Sequence, residues 1–406
     1  MKAAIFAYSR RGCGTASRIA ECLKNLYPGA SVDIYASEKY AADASDNNVD
    51  KPVRTCGAEE TQALIKPIPK PSRDFYGTLF RDCGAMIFVC SCGIAVRSIA
   101  PFVKSKLTDP AVIVTDELGK FTIPLLSGHI GGANDLARRI STFIGSTPVI
   151  TTATDINGRF SVDSWAARQG YAISDMKAAK DVSAAILERD IPFASDFPVT
   201  CSLPDGLVLS EPRNGETNCC GGSTCGGRSG RDGRVCCGGS GGRDCCSRII
   251  GIYVTCGTGS PFDETLRIIP KIVHLGVGCR KGTPEKAVAE AVKKILSDNG
   301  VDFRSVKTIN SIDIKSGEKG LLDFAGHSGI PIHFFTSAEL NAAEGEFSSS
   351  DFVKKVTGTD CVCERAASAA VCRETGCAGP AKMLVKKSAC GDVTVAAAVE
   401  HAEVHF

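Results

Sequence analysis

At 406 residues the chain is long for one domain, and 43% apolar with 23% charged residues is ordinary globular composition. A formal charge of +2 gives no global argument for a nucleic-acid partner, and no run nears eighteen uninterrupted apolar residues, so no membrane span is expected. The anomaly is 21 cysteines, many of them in apolar runs where a reduced thiol packs as a small hydrophobe. MKAAIFAYSRRGCG has too short an apolar run for a signal peptide, so a reducing cytoplasm is the expected compartment.

Residues 2–8 (KAAIFAY) read as a strand, followed by a loop, SRRGCGTAS, and a helix through about Leu26. Gly12 and Gly14 invite a phosphate-loop reading, but no GxGxxG or GK[ST] supports it, and a plain βα turn is the simpler expectation. VDIYA (32–36) reads as the second strand and polar Ser37–Pro71 as an irregular connection. A helix around Arg73–Asp82 leads to AMIFVC, apolar enough to be buried on both faces of a parallel sheet. GIAVRSIAPFVKS follows as a helix, with Ile94, Ile99 and Phe102 inward and Arg97 and Lys104 outward. AVIVTD is the next buried strand, and KFTIPLL a further one. SGHIGGAN is a glycine-rich turn before the helix DLARRISTFIG, whose Leu136, Ile140 and Phe143 share one side. TPVITT reads as a strand ending in ATD.

This alternation predicts an α/β fold in which the N-terminal and central region has a mainly parallel open sheet and the C-terminal α/β domain is separate. The expected divisions are an N-terminal domain over 1–157, a mostly helical central region over 158–213 that includes Trp165, a flexible Cys/Gly-rich insertion over 214–248, and the C-terminal domain over 249–406. The insertion's cysteines come as adjacent pairs, which suit a tetrahedral metal poorly. In the last domain IIGIYVT and KIVHLGVG read as strands, with a glycine-rich turn between them. RKGTPEKAVAEAVKKIL starts a helix with Thr283 as N-cap and Pro284 at the first position; TSAE (336–339) is a capping box, and KMLVKKSACGDVTVAAAV a closing hairpin.

Ligands of open parallel sheets sit at the carboxyl ends of strands, and Asp116, Glu117 and Asp155 are expected at that end. His129 stands between Gly128 and Ile130 on a turn, with Gly131 and Gly132 allowing close backbone approach and a helix start beyond them offering an anion site. Two readings stand for it: a general acid/base or ligand, and a structural histidine that fixes the turn. Asp116 is the better placed of the Asp116–Glu117 pair for proton transfer, because neighbouring strand residues face opposite ways. Asn134 suits a helix cap better than a ligand contact, and Cys90 and Cys92 suit packing. Arg280 and Lys281, ahead of a helix, can grip carboxylates. No GxSxG, HExxH or spaced cysteine quartet occurs, and no metal site is expected.

GIAVRSIAPFVKSKLTDPAVIVTDELGKFTIPLLSGHIGGANDLARRI with TPVITTATD, and then GVGCRKGTPEKAVAEAV, SIDIKSGEKGLLDFA, FFTSAELN, VCERAA and VTVAA, together resemble the CbiG family of cobalamin-biosynthesis proteins, the cobalt-precorrin-5A hydrolases. The resemblance covers about residues 84–200 and 250–398; the Cys/Gly insertion departs from the family pattern. It implies hydrolysis of the δ-lactone of cobalt-precorrin-5A with release of acetaldehyde, in the anaerobic route to vitamin B12. His129 or Asp116 would then handle the proton, with Asp155 a further catalytic candidate of undetermined role, while the GHIGGAN backbone (Gly128, Gly131, Gly132, Asn134) donates to the oxyanion. Arg97, Lys104, Arg280 and Lys281 would meet the carboxylates of the macrocycle. No cofactor is required, since cobalt arrives with the corrinoid substrate, and transient contacts with neighbouring pathway enzymes are compatible with the family. The rival expectation is a carrier that binds corrinoid intermediates without chemistry.

Overall fold

The computed structural model describes residues 1–45, 64–105, 108–211, 249–376 and 379–406. By internal contacts the chain forms two units, Met1–Ser164 and Trp165–Phe406.

The first unit is built on β1 (Lys2–Ala7), α1 (Arg10–Leu26), β2 (Ser31–Ala36), α2 (Glu38–Ser45), β3 (Ile65–Pro67) and α3 (Ser72–Asp82). It continues through β4 (Ala85–Val89), α4 (Cys92–Ile99), β5 (Ala111–Thr115), β6 (Phe121–Leu126), α5 (Ala133–Ile144), β7 (Thr147–Pro148) and α6 (Ala153–Ile156); α7 (Val162–Gln169) carries the division between units. One sheet runs β3-β2-β1-β4-β5-β6-β7. The first five of these strands are parallel, whereas β6 pairs antiparallel with β5 and β7 follows β6. Every residue of β4 and β5 is buried, as continuous apolar runs require when helices cover both sheet faces. The strand period of two divides the core. Ala3, Ile5, Ile87 and Ile113 pack with Ile19 and Leu23 of α1 and Leu136 and Ile140 of α5. Ala4, Phe6, Met86, Phe88 and Val112 pack on the other face with Tyr76 and Phe80 of α3 and Ala95 and Ile99 of α4.

Several local expectations change. The SRRGCGTAS loop is helix from Arg10, because the Ser9 hydroxyl accepts the Gly12 N–H at 3.1 Å and caps it. The irregular connection contains α2 and β3; its residues 46–63 lie outside the described residues. In α5 the buried stripe includes Ala137, Ile140 and Ile144, and Phe143, about 100° round the helix from Ile144, is exposed. TPVITT gives only the two-residue edge strand β7, where Pro148 brings no N–H to a ladder, and Asp155 lies in α6 instead of at a strand end.

The second unit holds two five-stranded sheets. The first contains β8 (Ala172–Ile173), β9 (Ile191–Ser195), β10 (Leu207–Leu209), β11 (Ile250–Val254) and β12 (Glu264–Ile269) in the order β10-β9-β11-β12-β8, with α8 (Met176–Glu188) beside it. The central region is therefore not mostly helical. The segment 249–269, expected in the C-terminal domain, pairs with β9 and β8, and the glycine-rich turn expected after β11 leads into an unforeseen strand, β12. Residues 214–248 lie outside the described residues. Trp165 is fully buried, donates its indole N–H to the His405 carbonyl at 2.7 Å and stacks on Phe406, so it packs as expected.

The last sheet runs β15-β14-β13-β17-β16 and is formed by β13 (Val273–Cys279), β14 (Val306–Ile312), β15 (Ile332–Phe335), β16 (Lys382–Cys390) and β17 (Val393–Val399). Its helices are α9 (Glu285–Asp298), α10 (Lys319–Ser328), α11 (Ser337–Ala342), α12 (Asp351–Thr357) and α13 (Val362–Thr375). Thr336 and Glu339 form the expected capping box. Pro284, not Thr283, occupies the cap of α9, and the Thr283 hydroxyl donates to the Arg280 carbonyl at 2.9 Å. Among the described residues no helix is long and apolar enough to cross a membrane.

Candidate functional site

The turn that carries His129 is tight for covalent reasons. A Cβ on Gly131 would sit 2.4 Å from the Ser127 Cβ, and Gly132 has φ +76°. The chain thereby reverses within six residues and uses its own carbonyls to cap α5: the N–H groups of Gly132, Ala133 and Asn134 donate to the carbonyls of His129, Ser127 and Gly128 at 2.9–3.1 Å. These donors are spent inside the turn. That overturns the expectation that the backbone of Gly132 and Asn134 would bind an oxyanion. Gly128 has a packing reason as well, since a Cβ there would meet the Asn134 side-chain oxygen at 2.7 Å.

What the turn presents is the His129 ring. Its Nε2 lies 3.2 Å from Asp155 Oδ2 and 3.3 Å from the Thr154 hydroxyl, both on α6. Its Nδ1 lies 3.4 Å from Asp163 Oδ1 at the start of α7. The His129 side chain is 20% exposed, against 17% for Asp155 and 8% for Asp163, so the cluster is mostly withdrawn from water. Asp155 is the hub. Its Oδ2 also accepts from Asn134 Nδ2 at 2.9 Å and the Thr152 hydroxyl at 2.8 Å, and its Oδ1 from the Arg138 guanidinium. Asn134 thus sits inside α5 and serves Asp155 through its side chain, instead of capping the helix. Asp163 Oδ1 accepts from the Ser161 hydroxyl at 2.9 Å and the Ser164 N–H at 3.0 Å.

Electrostatics follow the geometry. The Asp163 carboxylate is the largest influence on the His129 ring and raises its pKa; burial acts the other way, and Asp155 reinforces the rise. Burial would raise the pKa of Asp155, but donation from Arg138, Thr152 and His129 outweighs it and holds the carboxyl below its ordinary value. The pair is biased toward imidazolium and carboxylate, so neither partner is poised as a base.

Asp116 is elsewhere. Its Oδ1 accepts from the Leu118 N–H at 2.9 Å, and its Oδ2 from Lys120 and Phe121 at 2.8 and 2.7 Å. It caps the turn between β5 and β6. Thr115 pairs with Thr122 and Val112 with Leu126, so Asp116 and the turn beginning at Ser127 occupy opposite ends of this hairpin. At about 3.3 Å per residue the two sites are roughly 15 Å apart. Asp116 and His129 do not act on one atom, and Asp155 joins His129 at the amino edge of the parallel strands. Glu117 stays at the carboxyl edge, accepting from the Ser9 hydroxyl at 2.5 Å.

Arg97 and Lys104 are exposed, as expected. The backbone N–H of Lys104 donates to Asp109 at 2.9 Å. Arg280 is exposed and pairs with Asp392 at 2.9 Å; it and exposed Lys281 belong to the second unit. Burial pushes the Cys90 thiol up to about 11, which fits packing and not nucleophilic chemistry. Among the described residues no group of three His, Cys, Asp or Glu side chains could hold a metal ion. Sequence reasoning passed over Asp163, Arg138, Thr152 and Thr154. One usable signal was the i, i+4 spacing of Asn134 and Arg138, which puts both on one face of α5.

Residues 74–155 match the family described as Cobalamin synthesis G N-terminal, and residues 273–398 the family described as Cobalamin synthesis G C-terminus. The chain is 31% identical over 292 residues to the cobalt-precorrin-5A hydrolase of Salmonella typhimurium, covering 70% of this chain and 75% of that protein. It is 28% identical over 325 residues to the protein of the same name from Priestia megaterium, covering 76% and 78%. Over 125 residues it is 30% identical to Protein CobE of Sinorhizobium sp, covering 30% of this chain and 77% of that protein. With both family segments in order on one chain, and a relative at 31% identity covered over three quarters of its length, the chain belongs to the CbiG family of cobalamin-biosynthesis proteins.

Proposed function

We propose that the chain is a cobalt-precorrin-5A hydrolase. It opens the δ-lactone of cobalt-precorrin-5A with water and releases the two-carbon fragment as acetaldehyde, giving cobalt-precorrin-5B. The observation that carries this reading is the 31% identity to the Salmonella hydrolase across 292 residues.

The chemistry asks for a positioned water, a proton donor for the departing oxygen and positive charge near the developing oxyanion. The His129 cluster supplies a ring biased toward its imidazolium form, one-fifth exposed, on a turn held by its own carbonyls. Exposed Arg97, Lys104, Arg280 and Lys281 are suited to the carboxylates of the macrocycle. Cobalt travels with the substrate, and no resident cofactor is needed for lactone opening.

The test is anaerobic incubation of the purified chain with cobalt-precorrin-5A. Acetaldehyde and the mass change of an opened, shortened product are expected. Binding of the macrocycle with no change in its mass would replace the hydrolase reading with that of a carrier.

A further inference from the structure

The two contacts of the His129 ring are not equivalent. Nδ1 faces one carboxylate, Asp163, which is itself immobilised by the Ser161 hydroxyl and the Ser164 N–H and is 8% exposed. Nε2 is divided between two oxygens, Asp155 Oδ2 at 3.2 Å and the Thr154 hydroxyl at 3.3 Å, whereas Nδ1 meets the single Asp163 Oδ1 at 3.4 Å. Asp155 is committed to Arg138, Asn134 and Thr152, so its hold on Nε2 is the contact most readily given up.

We infer that Asp163 is the positioning residue of this site: it anchors Nδ1–H and leaves Nε2–H as the proton delivered to the oxygen that departs when the lactone opens. The inference rests on the hydrolase reading. The water oxygen forms a bond to the acyl carbon as the acyl C–O bond breaks. The ring oxygen of the lactone leaves with the electron pair and takes the Nε2 proton. A proton lost by the attacking water restores the imidazolium, so this step adds one water. Acetaldehyde follows when the hydroxyl so formed loses its proton and the C–C bond to the macrocycle breaks, the electron pair and a proton passing to the macrocycle carbon. The charged and titratable groups facing the ring are Asp163 from α7 and Asp155 from α6, with Arg138 of α5 acting through Asp155.

The experiment compares Asp163→Asn and Asp163→Glu in the full chain. Ring nitrogen NMR on 15N-histidine-labelled protein follows each titration, with His129 identified among six histidines by its loss in His129→Gln. In Asp163→Asn the His129 midpoint should move to lower pH. At the same time kcat for acetaldehyde release should fall about 10- to 100-fold, part of a full general-acid contribution, with KM within threefold. Asp163→Glu should restore most of both. An unmoved His129 titration in Asp163→Asn overturns the positioning role whether or not turnover is seen. A moved titration with unchanged kcat overturns the proton-delivery role. If Asp163→Asn does not fold, Asp163→Ser against wild type reads the same two quantities. Wild-type protein that opens no lactone would defeat the hydrolase reading instead, and the ring titration alone would then decide whether Asp163 governs His129.

Discussion

The two edges of the seven-stranded sheet both carry acids, and they use them in opposite ways. At the carboxyl edge Asp116 collects three backbone N–H groups from the five residues that follow it. At the amino edge Asp155 collects side chains from the turn after β6, from α5 and from Thr152, the residue just before its own helix. Backbone donors close at hand make a turn rigid. Side-chain donors gathered from separate elements make a place where charge is held on behalf of something else. On the proposed reading, the chemistry then lies away from the edge where parallel sheets usually bind ligands.

The largest effect should come from removing the hub. Asp155→Ala leaves the Arg138 guanidinium and the His129 ring without their shared carboxylate. The His129–Asp155 pair is mostly buried, and breaking such a pair on one side typically costs about 3 kcal/mol or more, while half-exposed Arg138 adds little. Urea unfolding should show a loss of that order. A loss under about 1 kcal/mol would mean that the amino-edge cluster is no more than another surface turn.

Next in size is a difference in turnover. His129→Gln should lower acetaldehyde release about 100-fold, the lower end of a general acid's usual contribution. Asp116→Ala should leave it within about twofold. Equal losses in both variants would undo the contrast between the edges, since the hairpin separates the two residues.

How far this contrast could be read in advance depended on which forces act locally. AMIFVC and AVIVTD declare buried parallel strands because covering both faces needs unbroken apolar runs. The capping box at Thr336 is local hydrogen bonding and was equally plain. KFTIPLL is apolar too, but nothing in it encodes direction. Its antiparallel pairing with β5 is what sends His129 and Asp116 to opposite edges. Strand membership was hidden for the same reason: ETLRII belongs with β11 because of its neighbours in space, and Arg267 is drawn inward by the Gly257 carbonyl and Asp302. His129 stood out by its glycine setting. Asp163 did not, because an acid in the first turn of a helix is ordinary until a distant ring is placed against it.

A smaller effect separates the acids by stability. Asp116→Ala removes a carboxylate that is solvent-facing and serves only its own turn, and should cost about 1 kcal/mol, less than one third of the Asp155→Ala loss. Thermal or urea unfolding of the two variants side by side gives the ratio. A reversed ratio would place the structural weight of the sheet at its carboxyl edge.

The smallest effect is in pH dependence, and its sign is set by the His129–Asp155 pair. The His129 pKa is raised above its ordinary 6.5, chiefly by Asp163, so its contribution to stability is fully present below about 6.5 and is lost as pH rises through the folded value. Asp155 is held below its ordinary 3.8 against the opposing effect of burial, so its contribution is present above about 3.8 and is lost as pH falls through the folded value. The cluster therefore stabilises the first unit most between those two limits. Unfolding free energies of wild type and His129→Gln, compared from pH 5 to 9, should converge at the alkaline end, because the wild type alone loses the imidazolium contribution there. A difference that stays flat across this range would mean that the ring titrates folded as it does unfolded, and the two carboxylates would then have no hold on its charge.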